Sequence, residues 1–221
     1  MSVKRSHEKR PYRKRRRAEQ EDETRLRITE AAVELHGSVG PARTTFSAVA
    51  ERAGVQRATV YRHFSDEAGL FQACSSHWLG EHPLPDLPRL ETIDEPDVRL
   101  RAALADVYEW HKRGEDMLAR VIRDVALVPA LAPHLEALAS WFDAAAETVV
   151  SGRSEQGDGG RRVRAAVGHA LAFETWRSLV REQGLSQAEA IDLMVALVAS
   201  ASRGGGADSL DSRLPGSVSP E

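Results

Sequence analysis

Two short helical patterns joined by a glycine constrain the fold of this chain more than any other feature. They occupy residues 44–64, which read TTFSAVAERAGVQRATVYRHF. Gly54 stands where the chain must turn sharply, because glycine adopts the left-handed conformation without a Cβ penalty. After it, Val60 and Phe64 lie four apart on one side of a second helix. The spacing predicts a helix-turn-helix. The first pattern places its apolar residues at helical intervals: Phe46, Val49, Ala50 and Ala53.

The outward side of the second helix has an unusual composition. It carries the residues Arg57, Thr59, Tyr61, Arg62 and His63. An ordinary helical hairpin would explain the apolar residues of this stretch. It would not explain an exposed tyrosine among arginines, since a solvated helix more often mixes Glu and Lys. The pattern favours a recognition helix that enters the major groove of DNA.

The segment AGVQRATVYRHF, with the acidic helix start and Leu70-Phe71 that follow, resembles the DNA-binding segment of the TetR (tetracycline repressor) family. Gln56 stands where that family more often has serine. Glu67 replaces a lysine that reaches a phosphate, so some affinity for the DNA backbone must come from elsewhere. The matching positions are Thr45, Ala53, Gly54, Val55, Thr59, Tyr61, His63 and Phe64.

The resemblance implies roles for these side chains. Tyr61 and His63 are similar to the family's phosphate-contacting positions, and Thr45 is expected to act likewise from the preceding helix. Arginine can bind guanine through two hydrogen bonds and the threonine methyl can contact thymine. We therefore expect contacts to base edges from Arg57, Thr59 and Arg62, although Arg62 could reach phosphate instead. The full predicted DNA-binding set is Thr44, Thr45, Gln56, Arg57, Thr59, Tyr61, Arg62 and His63.

Composition restricts the class of protein further. Aromatic residues make up 5% of the 221 residues, and abundant alanine and leucine favour helix over sheet. We predict an all-α fold, with a helix-turn-helix domain followed by a helical ligand-binding and dimerisation domain. The single cysteine, Cys74, excludes an intramolecular disulfide and fits a reducing compartment. With no apolar run of membrane-spanning length, we expect a soluble cytoplasmic protein.

The charge is unevenly distributed. Residues 1–17 contain nine Lys or Arg and one Glu, whereas the whole chain has a net charge of −3. We predict a disordered basic arm over residues 1–18, with Pro11 interrupting any helix. The arm could lie along phosphates or enter the minor groove, and the alternative is a solubilising tail.

The remaining helices follow from apolar periodicity. The predicted domains are 19–66 for the helix-turn-helix, 67–202 for the second domain, and 203–221 for a disordered tail. We expect the first helix over residues 20–36, a loop over 80–96, a break at Gly114, a loop over 151–160 and one helix over 161–183. Ser186 and Glu189 form a capping box for the last helix. That helix is apolar nearly all round, and with the preceding segment it resembles the final two helices of TetR-family members, which pair in a dimer.

The resemblance also implies a small-molecule pocket in the second domain. Each pocket candidate could equally be core packing or a helix-rim arginine. An enzymatic interpretation would need Cys74 as nucleophile, and nothing in the sequence activates it. We predict no enzyme activity, no metal and no cofactor. The ligand-binding candidates are Trp110, Met117, Arg120, Trp141, Phe173, Trp176 and Arg177.

These observations predict a TetR-type regulator, expected to be a repressor. It would bind a palindromic double-stranded DNA operator as a homodimer and be released by a small-molecule effector. The alternative is a ligand-independent DNA-binding dimer controlled by its abundance or by a protein partner.

Overall fold

The structure, a computed structural model, describes residues 9–203, and every regular element in that range is helical. This confirms the predicted all-α fold. None of the helices in this range combines the length and apolarity needed to cross a membrane. The α-helices are α1 Lys9–Ser38, α2 Phe46–Arg52, α3 Arg57–His63, α4 Glu67–Glu81, α5 Leu87–Glu91, α6 Pro96–Asp124, α7 Ala132–Val150, α8 Gly157–Leu171, α9 Phe173–Arg177 and α10 Gln187–Arg203.

The chain forms two compact units. The first combines residues up to Leu84 with Glu109–Ser140, and the second combines Pro85–Tyr108 with the residues from Trp141 onward. This division differs from the predicted boundary at residue 67. The reason is that the start of α4 is buried with the helix-turn-helix: Leu70 and Cys74 share one apolar core with residues of α1, α2 and α3. The predicted loop over 80–96 also contains α5.

Helix α1 is longer than the sequence predicted. It begins at Lys9 rather than near residue 20, so the expected disorder is wrong for residues 9–18. Pro11 lies in the first turn, where backbone N–H groups have no intrahelical partner. Ion pairs one turn apart support the exposed part of the helix, Arg15 to Glu19 at 2.8 Å and Arg17 to Glu21 at 3.1 Å. The rest of the predicted arm, residues 1–8, and residues 204–221 of the predicted tail lie outside the described residues.

The helix-turn-helix forms as predicted. The Thr45 hydroxyl accepts a hydrogen bond from the Ala48 amide at 3.1 Å and caps α2. Gly54 has a φ of +65° in the turn. Asp66 caps α4 by accepting from the Gly69 amide at 2.8 Å. The core beneath these helices contains Ile28, Ala31, Ala32, Val49, Ala50, Val60, Phe64, Leu70 and Cys74.

Gly114 does not break a helix, contrary to the prediction, because α6 runs through it without interruption. The glycine has a packing role instead. A Cβ added at this position would lie 2.9 Å from Cζ2 of Trp78, closer than normal van der Waals contact. The Trp78 ring also meets Trp110 edge-on, with ring centroids 5.8 Å apart. Glycine is therefore needed for the close approach of α4 to α6.

Replacing Gly114 by alanine is expected to lower the melting temperature, although alanine is the better helix former. Crowding a packed site costs about 1–3 kcal/mol, whereas the gain in helix propensity is about 1 kcal/mol. Gly80→Ala on α4 is the matched control, because an added Cβ there meets nothing within 4 Å. Thermal unfolding should give opposite signs for the two variants. A stabilised Gly114→Ala would contradict the packing role.

The second unit contains two further differences from the predicted helices. The helix expected over residues 161–183 is interrupted at Ala172, whose backbone is extended, and it resumes as α9 and a π-helical turn. The restart accompanies burial of Phe173 and Trp176. Helix α8 begins at Gly157, inside the predicted loop. The capping box is confirmed: the Ser186 amide donates to Glu189 at 2.8 Å and the Glu189 amide donates to the Ser186 hydroxyl at 3.3 Å.

Candidate nucleic-acid interface

Helix α3 has one buried side and one exposed polar side. Val60 and Phe64 are 0% and 2% exposed, and they anchor the helix in the core. Tyr61 is 46% exposed, and Arg57, one turn earlier, is also exposed. The two-sided character predicted from the spacing is therefore present in the fold.

Tyr61 is held in a defined position despite its exposure. Its ring lies against Phe46 of α2, with centroids 4.9 Å apart. Its second neighbour is Arg57. The Arg57 Nη2 atom donates to the tyrosine hydroxyl at 3.1 Å, and the guanidinium carbon lies 5.4 Å from the centroid of the tyrosine ring. A surface aromatic held by two partners loses little additional side-chain freedom when it binds.

A groove of about 600 Å³ is lined by residues of α2 and α3, of the loop before α2 and of the start of α4. Its walls are mixed polar and apolar, and we call it the polar groove after its exposed hydroxyl and charged side chains. The groove brings Thr44, Thr45, Arg57 and Tyr61 together, so residues predicted from both helices share one surface. The Thr44 hydroxyl donates to the Gly40 carbonyl at 2.9 Å. The Thr45 oxygen accepts in its cap, and its O–H still has the capacity to donate to a phosphate.

The other four predicted DNA-binding residues are placed differently. Gln56 directly precedes α3 and is exposed, Arg62 is exposed, and Thr59 is half-buried. His63 is also half-buried, and its Nε2 atom is enclosed with no hydrogen-bond partner among the described residues. Burial, with the charges of Arg62 and Arg25, lowers the pKa of His63. In this conformation His63 does not offer Nε2 to a duplex, unlike the outward-facing role that the sequence predicted.

Arg25 of α1 holds the end of the recognition helix, and the sequence analysis missed it. Its Nη1 atom donates to the His63 carbonyl at 2.7 Å, and its guanidinium lies 4.2 Å from the centre of the Phe64 ring. The contact caps the carboxyl end of α3, where a cation also suits the helix dipole. Nothing in the local pattern of α1 marks this contact, because the partners are 38 residues apart.

The end of α6 is fastened to the loop that precedes α2. Asp124 is 2% exposed and accepts from the Ala42 amide at 3.0 Å and from Arg123 Nε at 2.7 Å. Arg123 donates in turn to the Val39 carbonyl at 3.1 Å, and Arg120 Nε donates to the Ser38 carbonyl at 2.8 Å. Arg120, one of the predicted ligand-binding candidates, makes these structural bonds in the fold. We call these contacts of α6 with residues 38–42 the loop clamp.

A second concavity in the first unit is mainly apolar and has a volume of about 370 Å³. Among the seven predicted ligand-binding residues, Met117 alone lines it. Trp110 is buried and its Nε1 donates to the His82 carbonyl at 3.1 Å. The other four, Trp141, Phe173, Trp176 and Arg177, belong to the second unit. We call this concavity the apolar cavity. It is lined by His36, Phe71, Gln72, Cys74, Ser75, Ser76, Trp78, Leu79, Leu84, Met117, Leu118, Val121, Ile122, Leu131, Pro133, His134, Leu135, Ala137 and Leu138.

Two side chains of the cavity wall have strongly shifted acidity. His36 is buried against Phe71, with ring centroids 5.0 Å apart, and burial lowers its pKa to about 4. Burial raises the pKa of the Cys74 thiol to about 12, so the thiol stays protonated at neutral pH. A protonated, buried thiol is a poor nucleophile. No three His, Cys, Asp or Glu side chains within residues 9–203 are grouped so as to hold a metal ion.

The shifted pKa of His36 predicts a loss of stability in mild acid. Above pH 6.5 the ring is neutral in both states; below it, the unfolded chain takes up a proton that the folded protein binds only near pH 4. Stability should fall through this window by up to about 3 kcal/mol. His63 and His134, whose pKa values are also lowered, act in the same direction. Urea unfolding at several pH values gives the free energy of unfolding at each pH. Its dependence on pH between 6.5 and 4 should be weaker for His36→Leu than for the wild-type protein, and an unchanged dependence would contradict the assignment.

The fold and the exposed side of α3 define the class of protein: an all-helical helix-turn-helix protein whose second helix exposes Arg57, Tyr61 and Arg62. Residues 28–74 match the family model described as "Bacterial regulatory proteins, tetR family". Over 70 residues the chain is 48% identical to the HTH-type transcriptional regulator TtgR of Pseudomonas putida. That match covers 31% of this chain and 33% of TtgR, so it spans about a third of the relative's length.

Solved structures extend the likeness to the whole fold. NalD, the secondary repressor of the MexAB-OprM multidrug efflux pump in Pseudomonas aeruginosa, has a TM-score of 0.57 at 18% identity, over 82% of this chain and 96% of NalD. The transcriptional regulator FadR of Bacillus subtilis, solved with stearoyl-CoA, has a TM-score of 0.56 at 17% identity. That match covers 80% of this chain and 98% of FadR. Through residues 28–74, the chain is similar to the tetR family of bacterial regulatory proteins, and the solved structures share its overall fold.

Proposed function

We propose that the protein is a transcriptional repressor that binds a palindromic operator as a homodimer and leaves it when a small molecule binds. The observation that carries the DNA-binding part is the polar groove, where Thr44, Thr45, Arg57 and Tyr61 meet beside the exposed face of α3. One recognition helix reaches only a few base pairs, so two are needed to read a longer site. Repression is the role of NalD, a relative in fold, and we extend that role to this chain.

Selection from a random pool of DNA duplexes tests this proposal. The protein should enrich a palindrome whose half-sites lie about one helical turn or more apart. The enriched duplex should then shift in a gel, and a duplex with one half-site scrambled should shift only at much higher protein concentration. Failure to enrich any sequence over repeated rounds would contradict operator recognition.

Helix α10 supplies the argument for a homodimer. Four of its residues, Ala190, Ile191, Met194 and Val198, are buried within the second unit. The helix still exposes Leu193 and Leu197, at 46% and 42%, one turn apart on another side. Contiguous exposed apolar patches mark interaction surfaces, and these two leucines lie next to each other on the helix. A second copy of the same helix would cover them in a twofold arrangement.

Release by a small molecule is supported by the helices that the apolar cavity shares with the helix-turn-helix. Leu118, Val121 and Ile122 of α6 line the cavity, and other residues of the same turns form the loop clamp on residues 38–42. Helix α4 supplies another wall, and only three residues separate it from the end of α3. A ligand that binds more tightly when α4 or α6 takes one of two positions would favour that position, and α2 and α3 would move with it. The size of the shift is set by the difference between the ligand's affinities for the two conformations.

The cavity also bears on the alternative of a ligand-independent dimer. That alternative would be favoured by the absence of a cavity, whereas the first unit contains a partly open apolar cavity of about 370 Å³. An enzymatic role has no support from Cys74, because its thiol is buried and donates to the Thr29 carbonyl at 3.8 Å. We infer a cytoplasmic location from the proposed action on DNA and from the single reduced cysteine.

The basic residues ahead of residue 18 are proposed to add sequence-independent affinity. Residues 12–17 are exposed on the start of α1, and Glu67 is an exposed carboxylate lining the groove where a phosphate-binding lysine was expected. Deleting residues 2–17 should weaken binding to all duplexes and reduce the salt dependence, by about one unit of slope per lost phosphate contact. A variant with glutamine at 13–17 separates charge from chain length. An unaltered slope in both would make the arm a solubilising tail.

A further inference from the structure

The walls of the apolar cavity limit the ligand's charge. Among the residues within 9–203 that line it, none is Asp, Glu, Lys or Arg. The polar lining consists of neutral or weakly ionising groups: His36, Gln72, Cys74, Ser75, Ser76 and His134. An ion seated against these apolar walls would lose part of its hydration with no counter-ion to replace it, which is costly.

The ionisable groups of the wall are held in their uncharged forms. Burial lowers the pKa of His36 to about 4 and also lowers the pKa of His134. Burial raises the pKa of Cys74 to about 12. At neutral pH these groups therefore contribute hydrogen-bonding dipoles without net charge. The charged residues of the nearby loop clamp are already paired with each other and with backbone atoms of residues 38–42.

The size and the shape of the walls limit the ligand further. A volume of about 370 Å³ lies at the small end of the range of about 300–1,000 Å³ for ligand pockets. Flat rings from Phe71 and Trp78 face the cavity together with branched aliphatic side chains. Such walls suit one or two fused rings or a short aliphatic chain, with a few polar groups fixing its orientation.

We propose that the effector is a small, uncharged, mainly apolar molecule, and that this protein excludes both anionic and cationic molecules of the same shape. The inference rests on the proposed function, since it specifies the effector that would release the operator. It also gives this chain a ligand class different from stearoyl-CoA, the polyanion with which FadR was solved.

Three probes with one ring system and different charges test the proposal: 1-naphthalenemethanol, 1-naphthoate and 1-naphthylmethylammonium. Isothermal titration of the full chain at pH 7.5 should give a dissociation constant for the alcohol at least about tenfold lower than for either ion. A carboxylate or ammonium probe that binds as tightly as the alcohol would overturn the proposal. Binding of none of the three would overturn the assignment of this cavity to ligands of this size.

Two variants tie the binding to the cavity. Leu138→Glu places a carboxylate in the wall and should shift the preference toward the ammonium probe, with thermal melting used to check the fold. Met117→Trp fills part of the cavity and should raise the dissociation constant of the alcohol at least about tenfold if the cavity is the binding site. Unchanged affinities in both variants, with both folded, would place binding elsewhere and contradict the proposal.

Failure of this inference is distinguishable from failure of the proposed function. Operator binding is measured by gel shift without any probe, so it does not depend on the charge ranking. If the operator is bound but the ions bind as well as the alcohol, only the effector class is wrong. If no duplex is bound at all, the proposed function fails whatever the titrations show.

Discussion

Replacing Tyr61 with alanine is expected to abolish specific operator binding while the protein remains folded. The ring is 46% exposed and makes no contribution to the core beneath α3, so its loss should cost little stability. Its removal takes away a positioned contact and also releases Arg57, which donates to the tyrosine hydroxyl at 3.1 Å. We expect affinity to fall by about two orders of magnitude or more.

Tyr61→Phe is the matched control for this change. It keeps the ring against Phe46, with which the tyrosine makes its 4.9 Å ring contact, and removes only the hydroxyl. We expect an intermediate affinity, because packing is retained and one hydrogen-bonding group is lost. Gel shifts with the selected operator and circular dichroism melts measure both effects. Wild-type affinity in folded Tyr61→Ala would remove α3 from the interface.

The paired substitution Leu193→Glu with Leu197→Glu is expected to prevent formation of the proposed dimer. Both leucines are exposed on α10, so the carboxylates would be solvated in a single chain but would repel each other across a twofold interface. A monomer engages one half-site at a time. Operator affinity should therefore fall by about two orders of magnitude or more, because the second half-site no longer binds at a high effective concentration.

Light scattering during gel filtration measures the mass, and a gel shift measures the affinity. The matched control is Val98→Glu, another exposed apolar residue of the second unit, at 55% exposure on α6. That variant should keep both the dimeric mass and the operator affinity. A dimeric mass for the α10 double variant, or a monomeric mass for the wild-type protein, would be inconsistent with the proposed interface.

The sequence was most informative where local chemistry determines structure. Gly54 and the Ser186–Glu189 box were assigned correctly, because a left-handed turn and a helix cap depend on residues within one or two turns. The two faces of α3 followed from spacing alone. The family resemblance added roles for individual side chains, which remain predictions for this protein.

The errors have a common physical cause, which is that tertiary contacts override local preference. Gly114 was expected to end a helix, but its missing Cβ makes room for Trp78, 36 residues earlier in the chain. Arg120 was expected to be available to a ligand, but it bonds to the Ser38 carbonyl. Most lining residues of the apolar cavity were missed, with Met117 the exception, because they come from separate helices and read as ordinary core.

The central claim is that the exposed side of α3 lies against DNA, and proximity crosslinking tests it most directly. Ala58 is exposed on α3, so Ala58→Cys can carry a photoactivatable maleimide, whereas the native Cys74 is buried. Ser140→Cys, an exposed site on α7, is the matched control. We predict crosslinks to the selected operator from position 58 and few from position 140. Equal yields from the two positions, or crosslinks from position 140 alone, would contradict the account.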